Sequence, residues 1–278
     1  MSPIRIAIAG AVLASLATAA AAEEPSLSFA FASQAGSGIY TIEGRVVQIY
    51  RIPVAFTVKP LDDDAIWGTA LTLPVTFGFY DYQAADVLEG QFPTHIGTAS
   101  LLPGVEFNVR ATKNWILSPH IDIGVAKDFS GDDLVWVYDF GMRIVVSFPV
   151  STWDVRAGQE LLWAGAAQTD NPLTAWYSEV MAGFEFRHEL PGSFSRTRWD
   201  VGVFVIYEHY FKNEGSTPVA VSYSAAATPG VDEQTEVGFS FGTRPKLAWK
   251  KVSMPKLGVS YLFGDGIHGV RLVIGEVF

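Results

Sequence analysis

The chain contains no cysteine. That excludes a disulfide scaffold and any thiolate metal site. Charge is scarce: only 17% of residues are Asp, Glu, Lys or Arg, against about 25% in an ordinary soluble domain. Basic charge is scarcer still, with 19 Lys or Arg against 29 Asp or Glu and a net charge of −10. A nucleic-acid partner needs a basic face, which this balance does not supply. Beyond residue 22 no window holds 18 successive apolar residues, so no transmembrane helix is expected. Helical periodicity is nearly absent as well.

What is present is apolar. Of the 278 residues, 49% are hydrophobic, 13% are aromatic and 26 are glycine. A disordered chain has the opposite composition. Apolar, aromatic and glycine-rich without spanning helices is the composition of a membrane β-barrel. The first residues read differently from the rest. Arg5 precedes a short apolar run from Ile6 to Leu16, then Ala20-Ala21-Ala22 and the polar Glu23-Glu24-Pro25. That is the pattern of a secretory signal peptide over 1–22, leaving 23–278 as the barrel.

Period-2 alternation runs through most of the remaining chain. From Trp153 to Trp163, one face carries Trp153, Val155, Ala157, Gln159, Leu161 and Trp163, and the other Asp154, Arg156, Gly158, Glu160 and Leu162. A membrane strand needs roughly 9–11 residues, with aromatic side chains at both interfaces. Strands of a soluble sandwich are usually about five or six residues. The pattern predicts about twelve strands, near 26–33, 46–58, 67–80, 98–111, 115–127, 134–148, 151–163, 176–189, 197–211, 234–243, 254–263 and 267–278. Pro53 and Pro74 fall inside two of them and mark breaks or bulges. The connections alternate between long, as in 81–97 and 212–233, and very short, as in 112–114 and 149–151. Long outside and short inside is the rule for bacterial barrels. The expected fold is therefore all-β, a single antiparallel transmembrane barrel with both termini periplasmic.

The last hairpin reads Tyr261-Leu-Phe-Gly-Asp-Gly-Ile267 and then Gly269-Val-Arg-Leu-Val-Ile-Gly275, ending in Phe278. With Leu102-Pro-Gly-Val-Glu-Phe107 and Asn114-Trp-Ile-Leu-Ser-Pro119, it resembles the solitary, passenger-less, autotransporter-like outer-membrane barrels of Gram-negative bacteria. The resemblance implies location in the outer membrane and contact with its lipid. It also implies delivery by the barrel-assembly machinery, with Phe278 as the assembly signal. Glu276 departs from the apolar residue usual there. The family implies no defined reaction, cofactor or ligand, and none is expected here.

Candidate chemistry is sparse. Glu208-His209-Tyr210-Phe211-Lys212-Asn213 resembles the His-x-Ser-Asn signature of lipid A deacylase barrels, but Phe211 stands at the serine position and cannot be acylated. Ser118-Pro119-His120 puts a hydroxyl and an imidazole on one strand face, toward the lumen, where such a pair belongs to a satisfied polar network. Asp62-Asp63-Asp64 lacks the alternating spacing, glycine and distal Glu of a calcium loop. The inward charges are more informative. Strand parity turns Arg51, Arg110, Arg143, Arg156, Arg187 and Arg271 toward the lumen, with Glu106, Asp122, Asp139, Asp154, Glu160, Glu179, Glu185, Asp200, Glu208 and Glu236. Every basic member is arginine, which suits bidentate carboxylate pairing in a confined space. A twelve-stranded barrel lies between the eight strands that side chains fill and the sixteen that leave a channel. The expected role is a structural or surface-interaction barrel with a networked lumen. The alternatives are a narrow, weakly cation-selective pore and a barrel lipid hydrolase.

Overall fold

In the computed structural model, the described residues are 33–42, 45–62, 64–80, 97–129, 134–168, 174–194, 197–212, 231–244, 248–249, 252–253 and 256–278. The 1–22 leader lies outside them. The strands are β1 (Ser37–Ile42), β2 (Arg45–Ile52), β3 (Ala55–Lys59), β4 (Trp67–Thr72), β5 (Val75–Tyr80), β6 (Thr98–Leu101) and β7 (Gly104–Arg110). Then come β8 (Trp115–Asp128), β9 (Leu134–Val150), β10 (Trp153–Gln168), β11 (Thr174–Phe194), β12 (Thr197–Lys212) and β13 (Glu233–Arg244). A two-residue pair, β14 (Ala248–Trp249) and β15 (Val252–Ser253), precedes β16 (Leu257–Gly264) and β17 (Ile267–Ile274).

Apart from β14 and β15, these segments make twelve staves. β2 with β3, β4 with β5, and β6 with β7 are each one stave interrupted at a proline. All neighbours are antiparallel, and β1 pairs with β2 on one side and β17 on the other, so the sheet closes. The three interruptions, Pro53-Val54, Leu73-Pro74 and Leu102-Pro103, lie side by side. Proline has no N–H to give to the ladder. Its neighbours' donors cross the break instead: Leu73 N to Val54 O at 2.8 Å, Leu102 N to Pro74 O at 3.2 Å and Ile123 N to Pro103 O at 3.0 Å. The crease therefore interrupts three strands without opening the barrel. A break at Leu102-Pro103 was not expected from the alternation.

Two boundaries correct the sequence reading. The stave that closes against β17 is β1, in a segment expected to be an outward connection. The expected strand over 26–33 lies outside the described residues except for Ser33, which sits in a helical turn. The expected last strand, 267–278, ends at Ile274. Gly275 adopts φ 111°, in the region that favours glycine, and turns the chain off the sheet.

With twelve staves the described chain enters and leaves the barrel at one end, here the terminal end. The two longest connections, 81–97 and 213–232, lie at the other, the loop end, while 245–256 is a long connection at the terminal end. Tryptophans mark both. Trp67, Trp115, Trp153 and Trp199 stand near the terminal end, and Trp136, Trp163 and Trp176 near the loop end, each between 39% and 48% exposed on the outer surface. Between them the outer face is apolar, including Phe184, Phe186, Val203, Val205, Phe239 and Val270. An exposed apolar surface that continuous is unsuited to water.

Gly124 lies against the crease. A Cβ there would sit 1.9 Å from the Leu101 carbonyl oxygen and 2.7 Å from the Leu102 Cα. Both are backbone atoms, so no side chain can swing away. Gly124→Ala is expected to lower stability by about 1–3 kcal/mol, as overpacking does. The temperature at which the folded barrel loses its fast gel migration should fall; an unchanged temperature would mean that the crease yields.

Candidate functional site in the lumen

The inward faces form three layers. The layer nearest the loop end is apolar. Ile42, Val47, Val137, Leu162, Ala164, Tyr177, Tyr210, Leu262 and Ile267 belong to one buried cluster. This follows from parity: Leu162 and Ala164 continue the face of Glu160, Tyr177 that of Glu179, and Tyr210 that of Glu208. The sequence reading took the whole lumen as polar and missed this layer. The signal was the run of apolar residues toward the loop end of several inward faces, as at Leu162 and Ala164.

The middle layer is charged and encloses a cavity of about 370 Å³. Of the inward residues named from the sequence, Arg51, Glu106, Asp122, Asp139, Arg143, Glu160, Glu179, Glu208 and Arg271 line it. Arg143 bridges Glu106 at 3.4 Å and Glu160 at 3.3 Å. Arg271 pairs with Glu236 at 2.6 Å, and the Ser260 hydroxyl donates to the same carboxylate at 2.5 Å. The Thr72 hydroxyl donates to Asp122. The chain segment before β1 enters this layer. Gln34 donates to Asp139 at 2.5 Å, and Arg51 donates to the Gln34 carbonyl at 2.9 Å.

The layer nearest the terminal end is built on Glu185, which is fully buried. Arg156 lies 3.3 Å from it, Lys256 3.7 Å and Arg187 4.0 Å, and the Ser240 hydroxyl donates to it at 3.2 Å. Arg187 also pairs with Asp200. After the turn at Gly275, Glu276 joins the group, 2.7 Å from Arg156 and 2.6 Å from Lys256. Burial pushes the Lys256 ammonium below the ordinary lysine range, and Glu185 and Glu276 oppose that shift. Phe278 then tucks inside on Val145, Met181, Phe204 and Ile206. Gly158 and Gly183 leave room for its ring, which a Cβ would meet at 2.2 and 2.9 Å. Phe278 therefore does not close the terminal strand, as the sequence pattern suggested. It lies in the lumen, because Gly275 ends the strand three residues earlier. Asp154, Arg187 and Asp200 line a second cavity at this end. Arg110 shares the inward strand face of Glu106 but does not line the main cavity.

The other candidates are separated. The Ser118 hydroxyl donates to Asn108 at 2.8 Å, while His120 Nε2 faces Glu160 at 3.5 Å and Asp139 at 3.9 Å. Serine and imidazole therefore do not share a proton. His209 packs edge-on against Phe211, with ring centroids 4.6 Å apart. The Asp62 carbonyl accepts from the Ala65 N–H at 3.1 Å in a turn.

A closed twelve-stave antiparallel cylinder, apolar outside and charged within, defines the architecture of an outer-membrane β-barrel. The chain is similar in fold to the beta domain of the Bordetella autotransporter BrkA, with TM-score 0.56 and 13% identity over 86% of this chain and 92% of that one. LpxR from Salmonella typhimurium matches at TM-score 0.40 and 13% identity, over 85% of this chain and 90% of that one. No family model matches the sequence, and no curated protein does. The chain thus folds as an autotransporter-like barrel.

Glu185 and Glu189 lie four residues apart on β11 in opposite settings. Glu185→Ala leaves three buried cations around an empty position and is expected to cost about 3–5 kcal/mol. Glu189, 41% exposed and 3.0 Å from an exposed Arg198, should cost under about 1 kcal/mol as alanine. Urea unfolding of both variants in detergent micelles tests the contrast. Equal losses would show that the terminal-end layer is hydrated.

Proposed function

We propose that the protein is an integral outer-membrane barrel, exported by its N-terminal leader, that serves as a closed structural and surface-presenting element. One observation carries the reading: an apolar layer of inward side chains spans the loop end of the lumen. The terminal end supports it, since Phe278 and the Glu276 ion pairs occupy the lumen there. Water and ions cross a barrel through a continuous polar path. On this reading that path is interrupted at both ends, and the inward charges serve as internal ion pairs.

The orientation follows from the connections. Long ones face outward in bacterial barrels, so the loop end faces the exterior and both termini face the periplasm. By sequence, the loop-end connections carry ten Asp or Glu and no Lys or Arg. The terminal-end connections carry six Lys or Arg and three Asp. The connections presented outward are therefore acidic and hold no Lys or Arg. On this reading the barrel is delivered by the assembly machinery and catalyses no reaction.

Refolded protein inserted into a planar lipid bilayer tests the closed state. The expected conductance is that of the bare bilayer at both polarities. Steady, cation-selective steps from the unmodified chain would replace this reading with the pore.

A further inference from the structure

The central cavity is under-compensated. Its lining holds three guanidinium groups and seven carboxyl side chains, of which Glu276 is already held by Arg156 and Lys256 outside the lining. Arg143 is shared by Glu106 and Glu160, and Arg271 is held by Glu236. Glu179 stands between Glu160 and Glu208, one strand away on each side, in the diagonal positions of the β10–β11 and β11–β12 registers. Those two carboxylates are its neighbours in charge, and Arg271 offsets them in part at Glu179. Among the described residues Glu179 makes no ion pair. Crowded carboxylates in a confined site need a counter-charge or protons.

A second observation points the same way. Four buried polar atoms of residues lining the cavity have no hydrogen-bond partner among the described residues: one donor, Arg51 Nε, and three further atoms, Tyr177 Oη, Gln234 Oε1 and Asp139 Oδ1. Tyr177 is fully buried, Asp139 is 2% exposed and Gln234 5%. These three can accept a hydrogen bond. A buried acceptor left unmade costs about 1–3 kcal/mol, so a species that brings several N–H donors and a positive charge would answer both deficits. Tyr177 and Tyr210 add ring faces beside Glu179, their centroids 5.9 Å apart, and aromatic rings attract ammonium groups. A metal ion fits less well. Among the described residues, no three His, Asp or Glu groups converge as metal ligands. A volume of about 370 Å³ suits a small organic molecule.

We propose that the lumenal cavity is a binding site for a small organic cation, a primary amine whose ammonium group sits against Glu179 and Tyr177. Asp139 and Gln234 accept further donors from the same molecule. The proposal goes beyond the closed-barrel reading and stands apart from it, since a barrel that conducts could still hold an amine at Glu179.

The test uses the full chain refolded in detergent with 1,4-diaminobutane present, followed by titration calorimetry and thermal unfolding. Saturable binding and a raised unfolding temperature are expected. Glu179→Gln should weaken binding tenfold or more, and Tyr177→Phe, which removes only the hydroxyl, several-fold. Glu189→Gln, outside the cavity, should change neither. Three results would overturn the proposal: no saturable binding between pH 6 and 9, which would mean that water and protons satisfy the cavity; unchanged affinity in both cavity variants; or equal displacement by sodium or magnesium at matched ionic strength.

Discussion

A hydrocarbon layer offers no partner to a backbone N–H or C=O, so a chain that crosses it as strands must pair every edge with another of its own. The contact between β1 and β17 meets that requirement here, and the rest of the molecule depends on it. Ser37 to Ile42 pair residue by residue with Leu272 to Ile267. Without that pairing, β1 and β17 would be open edges. The same constraint explains why three prolines are tolerated. Each removes a donor, but the breaks are adjacent, so neighbouring N–H groups reach across and the cylinder stays closed.

Closure reverses the usual distribution of side chains. Apolar residues turn outward and polar ones inward, and the charged groups must then find partners in a narrow space. They do so unevenly. Near the terminal end, Glu185 sits among Arg156, Arg187 and Lys256, and Glu276 arrives from the chain's last residues to share two of those cations. In the middle, acids outnumber guanidinium groups around a cavity. Toward the loop end the described inward side chains are mainly aliphatic and tyrosine, and they meet in one buried cluster. The lumen of this barrel is thus layered in its chemistry.

Much of the fold was legible in the sequence because alternation is a local signal. The long strands β8 to β13 carry enough residues for one apolar and one polar face to be counted, and Trp153 with Trp163 marks both ends of one of them. The short β1 was harder. It spans six residues, and its inward Tyr40 and Ile42 are apolar, so its two faces look alike. The end of β17 was misread because Val273, Ile274, Val277 and Phe278 continue an apolar pattern through Gly275, whose positive φ is a backbone property that spacing does not reveal. The lumenal charges were readable by parity from the strands that carry them. Their partners were not: Gln34, Lys256 and Glu276 come from segments outside the strands, and only the folded chain brings them to Asp139, Glu185 and Arg156.

The central claim is that the outer surface of this cylinder faces lipid, bounded by two belts of tryptophan. Quenching of tryptophan fluorescence by brominated lipids measures this directly in reconstituted vesicles. The account predicts strong quenching overall, greater with bromines near the headgroups than with bromines at the bilayer centre, because the exposed tryptophans stand near the strand ends. Fluorescence unaffected by brominated lipid at every depth would contradict it.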